Sequence, residues 1–223
     1  MAGSYELYKG LFRQTGVIEA EDLVELFDMA KALALYDGRA VRNVLVVTSS
    51  GGMGVQIVDA LNAVGFSVPE LPREAQRELK SHLPPVAVVS NPVDLTGGGK
   101  DEHFRAALDI GLRFTDAAVV AALIHPPGYS EDVAWKILQI YERYKKPVVI
   151  VSFGRSPQTK ALEEILKKRL VVVDTPKRAA KALLAVAFYS SKINRRSYER
   201  GDEHKSSQGV NSGISPASGC VSP

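Results

Sequence analysis

The residues best suited to chemistry form one short run. Thr48-Ser49-Ser50-Gly51-Gly52-Met53-Gly54 follows the apolar stretch Val44-Leu45-Val46-Val47. A strand that turns through such a run into a helix leaves the helix's first backbone N–H groups without intrahelical partners. Together with the positive end of the helix dipole these donors favour an anion, and glycines let a phosphate oxygen approach the backbone. Ser49 and Ser50 can add hydroxyl donors. Ser49, Ser50, Gly51, Gly52, Met53 and Gly54 are therefore the expected phosphate-binding residues. A tight strand-to-helix turn without a ligand is the competing reading. No Gly-Lys-Ser/Thr follows, so this is not a Walker A loop. Ile57 also stands where the third glycine of a dinucleotide fingerprint would fall.

A second turn-rich loop, Asn91-Pro92-Val93-Asp94-Leu95-Thr96-Gly97-Gly98-Gly99, is expected to place Asn91, Asp94, Thr96 and Gly97 as a rim beside the first. Its plain alternative is a connection with no contact to a ligand. The histidines are His82, His103, His125 and His204, and no two of them have metal-ligand spacing. His82 and His103 read as solvated residues on helix faces. His125 ends an expected strand, a place where α/β proteins bind ligands, but nothing beside it completes a catalytic set. There is no Gly-x-Ser-x-Gly elbow and no Cys/His pair. No catalytic residue and no metal ligand is assigned. Trp135, close to Ile137 and Leu138, is expected in the core.

The elements that must position the first loop alternate in type. Strands are expected at Asn43 to Thr48, Phe66 to Glu70, Ala117 to Ile124, Pro147 to Phe153 and Leu170 to Val173, and Val86 to Val89 is another short apolar run. Between them, helices are expected at Met53 to Val64, closed by Gly65, at Arg73 to Leu83 and at Asp101 to Leu112. Further helices run from Ser130 to Tyr144, from Ser156-Pro157 onward, and from Thr175-Pro176 to about Lys192. Such alternation implies a parallel sheet covered on both faces. The units are too few for an eight-stranded barrel and suit a five-stranded, doubly wound, flavodoxin-like order.

Ahead of this body, residues 1–40 read as a helical arm packed against it. Tyr5, Tyr8, Leu11 and Phe12 share helical spacing, Gly16 stops that helix, and Val17-Ile18 could form a short strand. Leu23, Leu26, Phe27, Ala30, Leu33 and Ala34 then recur at three and four and predict the apolar face of a second helix. The body spans 41–192. Residues 193–223 are rich in Ser, Gly, Pro and charge, with scattered apolar residues, and read as a disordered tail.

Composition closes off other classes. Apolar residues make up 45% and charged residues 24% of the 223, the balance of an ordinary globular chain able to bury a full core. The lone Cys220 allows neither a disulfide framework nor a cysteine zinc site, which fits a reducing cytoplasm. No apolar run approaches the ~20 residues of a membrane helix. The net charge of +3 forms no clustered stripe, so neither nucleic acid nor membrane is an expected partner.

Taken in order, Phe12-Arg13-Gln14-Thr15-Gly16-Val17-Ile18, Leu23 to Ala34, Thr48 to Gly54 and Asn91 to Gly97 resemble the NDP-forming acyl-CoA synthetases. The succession is similar to the last domain of the alpha subunit of ADP-forming acetyl-CoA synthetases and to the C-terminal domain of the succinyl-CoA ligase beta subunit. The resemblance covers Gly3 to Lys192. It implies a stepwise reaction in which acyl-CoA and phosphate give acyl phosphate and CoA. A histidine then takes the phosphoryl group and passes it to ADP. Gly51, Gly52, Met53 and Gly54 would form one of two helix N-termini that hold the phosphohistidine. That histidine's position would fall upstream of Met1, so the chain is expected to be a subunit or fragment, inactive alone. CoA, ADP or ATP, and Mg are expected on a CoA-binding Rossmann domain and an ATP-grasp partner. A non-catalytic interaction or regulatory domain is the alternative, and a flavin- or nucleotide-phosphate-binding flavodoxin a third.

Overall fold

A computed structural model describes residues 4–36, 39–121, 132–152 and 154–191. His125, Ser130 and the tail from Asn194 lie outside the described residues. Two helices, α1 (Tyr5–Thr15) and α2 (Leu23–Tyr36), come first. The body then runs β1 (Val44–Thr48), α3 (Gly51–Ala63), α4 (Arg73–His82), β2 (Val93–Asp94), α5 (Asp101–Gly111) and β3 (Ala117–Ala121). It continues with α6 (Asp132–Tyr144), β4 (Val148–Val151), α7 (Pro157–Lys167) and β5 (Val171–Val173). Residues 176–191 form a last helix, α8.

The five strands pair in parallel in the order β2-β1-β3-β4-β5, the doubly wound flavodoxin-like arrangement. Every residue of β1 and β3 is fully or almost fully buried. A strand points successive side chains to opposite faces, so burial at every position means both faces of the sheet are covered. The continuous apolar runs Val44–Val47, Ala117–Ala121 and Val148–Val151 produce this directly. Helices α4, α5, α6 and α7 pack in succession, α3 lies against β1 and β3, and α2 and α7 meet β5. At Gly111, α5 comes so close to β1 that an added Cβ would stand 2.5 Å from a Leu45 methyl.

The punctuation falls where the sequence places it. Gly16 takes the left-handed φ of 77° that ends α1. Gly65, at φ 91°, follows α3. Ser156 Oγ accepts the Thr159 N–H at 3.1 Å with Pro157 at the first helical position.

Four expectations need correction. Phe66 to Glu70 forms no strand; it gives only the single bridge Asn43–Ser67. Val86 to Val89 likewise contributes only the antiparallel bridge Val88–Asp94. The strand beside β1 is instead Val93–Asp94, inside the segment read as a loop. Val17-Ile18 is not a strand, because no described residue pairs with it. Trp135 is 53% exposed, on the outer side of α6, while Val133, Ala134, Ile137 and Leu138 turn inward.

The arm carries a fifth correction. The residues expected to pack face outward: Leu23 and Phe27 are each 71% exposed, and Leu26 is 48% exposed. The face of α2 turned to the body is Glu25, Met29, Ala32 and Tyr36. Polar contacts add to this buried face. The buried Tyr36 hydroxyl donates to the Val148 carbonyl and accepts the Val171 N–H at 3.1 Å, joining the starts of β4 and β5. Arg178 pairs with Asp28 at 2.5 Å, and Lys177 with Glu21 at 2.5 Å.

Candidate functional site

The glycine run turns directly from β1 into α3 at the C-terminal end of the sheet, beside the β1/β3 boundary where the strand order reverses. Thr48 builds the turn. Its buried Oγ1 donates to the Ser50 carbonyl and accepts the Ser50 N–H, both at 3.0 Å. Ser50 precedes the helix in extended conformation, yet its side chain does not cap it, and the first turn of α3 holds no acid. The N–H groups of Gly51, Gly52 and Met53, which no helical carbonyl can reach, are thus left for another acceptor.

The three glycines do different work. An added Cβ at Gly54 would stand 3.1 Å from Thr48 Cγ2, and one at Gly51 would stand 3.0 Å from Asp94 Oδ2. Gly54 is therefore small because β1 and Pro92 are close, and Gly51 because the second loop is. Gly52 meets nothing within 4 Å and is exposed. Open space above a bare helical N–H is what an approaching phosphoryl oxygen requires.

The second loop does lie beside the first, but its side chains are mostly committed to structure. Asn91 Oδ1 accepts the Val46 N–H at 2.9 Å, while Nδ2 donates to the carbonyls of Val44 and Pro69 at 3.0 and 2.9 Å. The amide thus stands in for a strand along the edge of β1. Asp94 Oδ1 accepts the Thr96 N–H at 2.8 Å, which holds Thr96 at its positive φ of 54°. Asp94 therefore brings a carboxylate up to Gly51, whereas Thr96 is half-buried and Gly97 exposed with open space around it. Neither loop contains Lys or Arg except Lys100 just beyond. An anion at this turn would meet no cationic side chain from either loop and would face the Asp94 carboxylate.

Two histidines have described positions. His82 is exposed in the last turn of α4. His103 is half-buried rather than fully solvated, and its Nδ1 reaches back to accept the Lys100 N–H at 2.9 Å at the start of α5. Burial, and then Lys100, pushes its pKa down. Among the described residues, no three of His, Cys, Asp and Glu are grouped to hold a metal ion, and no helix is long and apolar enough to cross a membrane.

The sequence reading missed a second concavity. A cavity of about 480 Å3 opens at the C-terminal ends of β4 and β5, away from both loops, and includes Ser152, Arg155 and Arg178 in its lining. Ser152 follows an apolar strand much as Ser49 does, which is the one local signal that pointed to it.

Comparison with known proteins agrees with this architecture. A profile of the Ligase-CoA domain matches residues 44–192. The chain is 29% identical over 194 residues to the alpha subunit of acetate–CoA ligase (ADP-forming) I from Pyrococcus furiosus, covering 85% of this chain and 42% of that subunit. It is 39% identical over 126 residues to acetate–CoA ligase (ADP-forming) I from Archaeoglobus fulgidus, covering 56% of this chain and 18% of that ligase. A solved dinucleotide-forming acetyl-coenzyme A synthetase 1 of Ca. Korarchaeum cryptofilum superposes with a TM-score of 0.76 at 28% identity, over 86% of this chain and 43% of that one. The chain thus spans less than half the length of these relatives.

Proposed function

Because the chain belongs to the Ligase-CoA domain family, we propose that it is a subunit or fragment of an NDP-forming acyl-CoA synthetase acting in the cytoplasm. Its part is to supply one helix N-terminus to a phosphohistidine cradle. The observation that carries this reading is the start of α3, uncapped by Ser50, free of acids, and open above Gly52. In the overall reaction, phosphate displaces CoA from acyl-CoA to give acyl phosphate. The phosphoryl group passes to a histidine nitrogen with release of the carboxylate, and ADP then takes it to form ATP. This chain contributes no acid or base to those steps. The N–H groups of Gly51, Gly52 and Met53 meet the charge on the phosphoryl oxygens, already oriented before the charge arrives.

With no cation in either loop and Asp94 beside Gly51, this end of the cradle is weak alone. The reading therefore needs a second helix N-terminus from a partner. The partners proposed are a CoA-binding Rossmann domain, which brings CoA, and an ATP-grasp domain, which brings ADP and Mg. The outward apolar face of α1 and α2, with Leu7 75% exposed and Phe27 71% exposed, gives the first of these a surface to dock on. These relatives carry more than half their length beyond what this chain matches.

The test is reconstitution with those two domains, assayed for ATP formed from acetyl-CoA, ADP and phosphate. Gly52→Val puts a branched side chain into the open space above the helix start and should lower the rate by about 10²–10³-fold, the usual cost of losing an oxyanion donor. Its fold should be intact, because the new Cβ meets nothing within 4 Å. An unchanged rate in the variant complex would sink the assignment. Partner binding with no ATP formed by the unaltered chain would instead favour a non-catalytic interaction domain.

A further inference from the structure

The cavity at the ends of β4 and β5 holds features that the proposed function leaves unused. Ser152, the first residue after β4, lines it and is only 6% exposed. Its N–H serves the sheet, donating to the Val173 carbonyl at 2.8 Å, but its Oγ is buried with no hydrogen-bond partner among the described residues. A buried hydroxyl left unpaired destabilises a fold, so an orphan on a cavity wall marks a group waiting for a ligand. Around it the charges are unevenly used. Arg178 is committed to Asp28 and Asp174, and Lys167 to Glu163. Arg155 is exposed and makes no ion pair with any described residue. The starts of α7 and α8 lie near it but offer few free donors: Ser156 Oγ accepts from Thr159, Thr175 Oγ1 from Arg178, and Pro157 and Pro176 carry no N–H. Gly154 lies flat against the start of α7, where an added Cβ would stand 2.6 Å from Thr159 Oγ1.

We propose that this cavity binds a phosphomonoester of nucleotide size. Its phosphate sits against the Ser152 hydroxyl and the Arg155 guanidinium. Contact requires the Ser152 side chain to change rotamer, because its Oγ is buried as it stands. The cavity of about 480 Å3 is far roomier than inorganic phosphate needs and falls in the range of small-molecule sites. The carboxylates of Asp174 and Glu163, also on its wall, are placed to accept hydrogen bonds from the hydroxyl groups of such a molecule. The site is independent of the glycine loop and of the phosphoryl-transfer reading.

The experiment titrates the full chain with adenosine monophosphate and, separately, inorganic phosphate, following backbone amide NMR shifts. The expected result is movement of the Ser152, Gly154 and Thr175 amides with adenosine monophosphate, and weaker binding of inorganic phosphate at the same amides. Arg155→Gln should weaken binding about tenfold, the effect of one charge-assisted hydrogen bond. Ser152→Ala should weaken it several-fold yet raise the apo Tm by about 2–4 °C, since it deletes an unsatisfied buried hydroxyl. That opposite movement of affinity and stability would not arise from a merely structural serine. Shifts confined to Gly51, Gly52 and Met53, or no shifts with either probe, would overturn the proposal. So would an Arg155→Gln variant that binds as tightly as the unaltered chain.

Discussion

The body and the arm use their apolar residues in opposite senses. In the body, Leu45, Phe104 and Val119 are fully buried between sheet and helices. In the arm, Tyr5, Leu7, Leu23 and Phe27 are more than half exposed, while Glu25 on the same α2 is buried. Beside the buried Met29, Ala32 and Tyr36, polar contacts tie the arm down: Tyr36 across β4 and β5, Asp28 to Arg178, Glu21 to Lys177, and Lys31 Nζ to the Lys167 carbonyl at 2.9 Å. Periodicity tells which face of a helix is apolar. It does not tell whether the chain itself supplies the cover.

The largest test of this contrast is a matched pair of truncations. Phe104→Ala should cost about 3–5 kcal/mol in urea unfolding, whereas Phe27→Ala should change stability by no more than about 0.5 kcal/mol. Similar costs at the two sites would mean that the arm's apolar face is already covered in solution. Next comes Gly111→Ala, where the new methyl collides with the Leu45 side chain at 2.5 Å. A loss of about 1–3 kcal/mol is expected from overpacking, despite alanine's better helix propensity.

Tyr36→Phe probes the arm's anchor. It strands the Val171 N–H and the Val148 carbonyl in a buried place and should cost about 1–2 kcal/mol. Hydrogen exchange should show the loss at α2 and at the starts of β4 and β5, with β1 unaffected. A uniform loss across the sheet would mean arm and body unfold as one unit.

The smallest effect is electrostatic. Hydrogen bonding to Lys177 holds the Glu21 carboxyl below its ordinary pKa. A carboxyl whose folded pKa is depressed stabilises the attachment above its unfolded pKa of about 4.3, and loses that contribution as pH falls below it. Asp28 has the opposite sign, because burial outweighs Arg178 and raises its pKa. Acid should therefore loosen the arm slightly through Glu21, and Glu21→Gln should remove that dependence. The readout is arm amide exchange corrected for intrinsic rate between pH 5 and 3.

Legibility followed how local each feature was. β1, β3, β4 and β5 are unbroken apolar runs that no other element competes for, so they were readable, as was the glycine turn. β2 was not, because its slot beside β1 is shared: two residues pair there, and the Asn91 amide fills the rest. Phe66 to Glu70 has the composition of a strand, but Ser67 alone reaches Asn43. The outward face of α2 and the orphaned Ser152 hydroxyl are tertiary facts, set by what stands opposite. The three uses of Gly51, Gly52 and Gly54 separate only when Asp94, Pro92 and Thr48 are in place.

The Asn91 amide also bears on how the protein ages. Both ends of that side chain are in use: the oxygen accepts from Val46, and the nitrogen donates to Val44 and Pro69. Conversion to aspartate would put a carboxylate against two carbonyl oxygens at the edge of β1. Deamidation by ring closure starts when the next residue's backbone nitrogen loses its proton and attacks the amide carbon. Here the next residue is Pro92, whose nitrogen has no proton to lose. A position that would tolerate chemical wear poorly is therefore one where the usual route to it is closed by sequence.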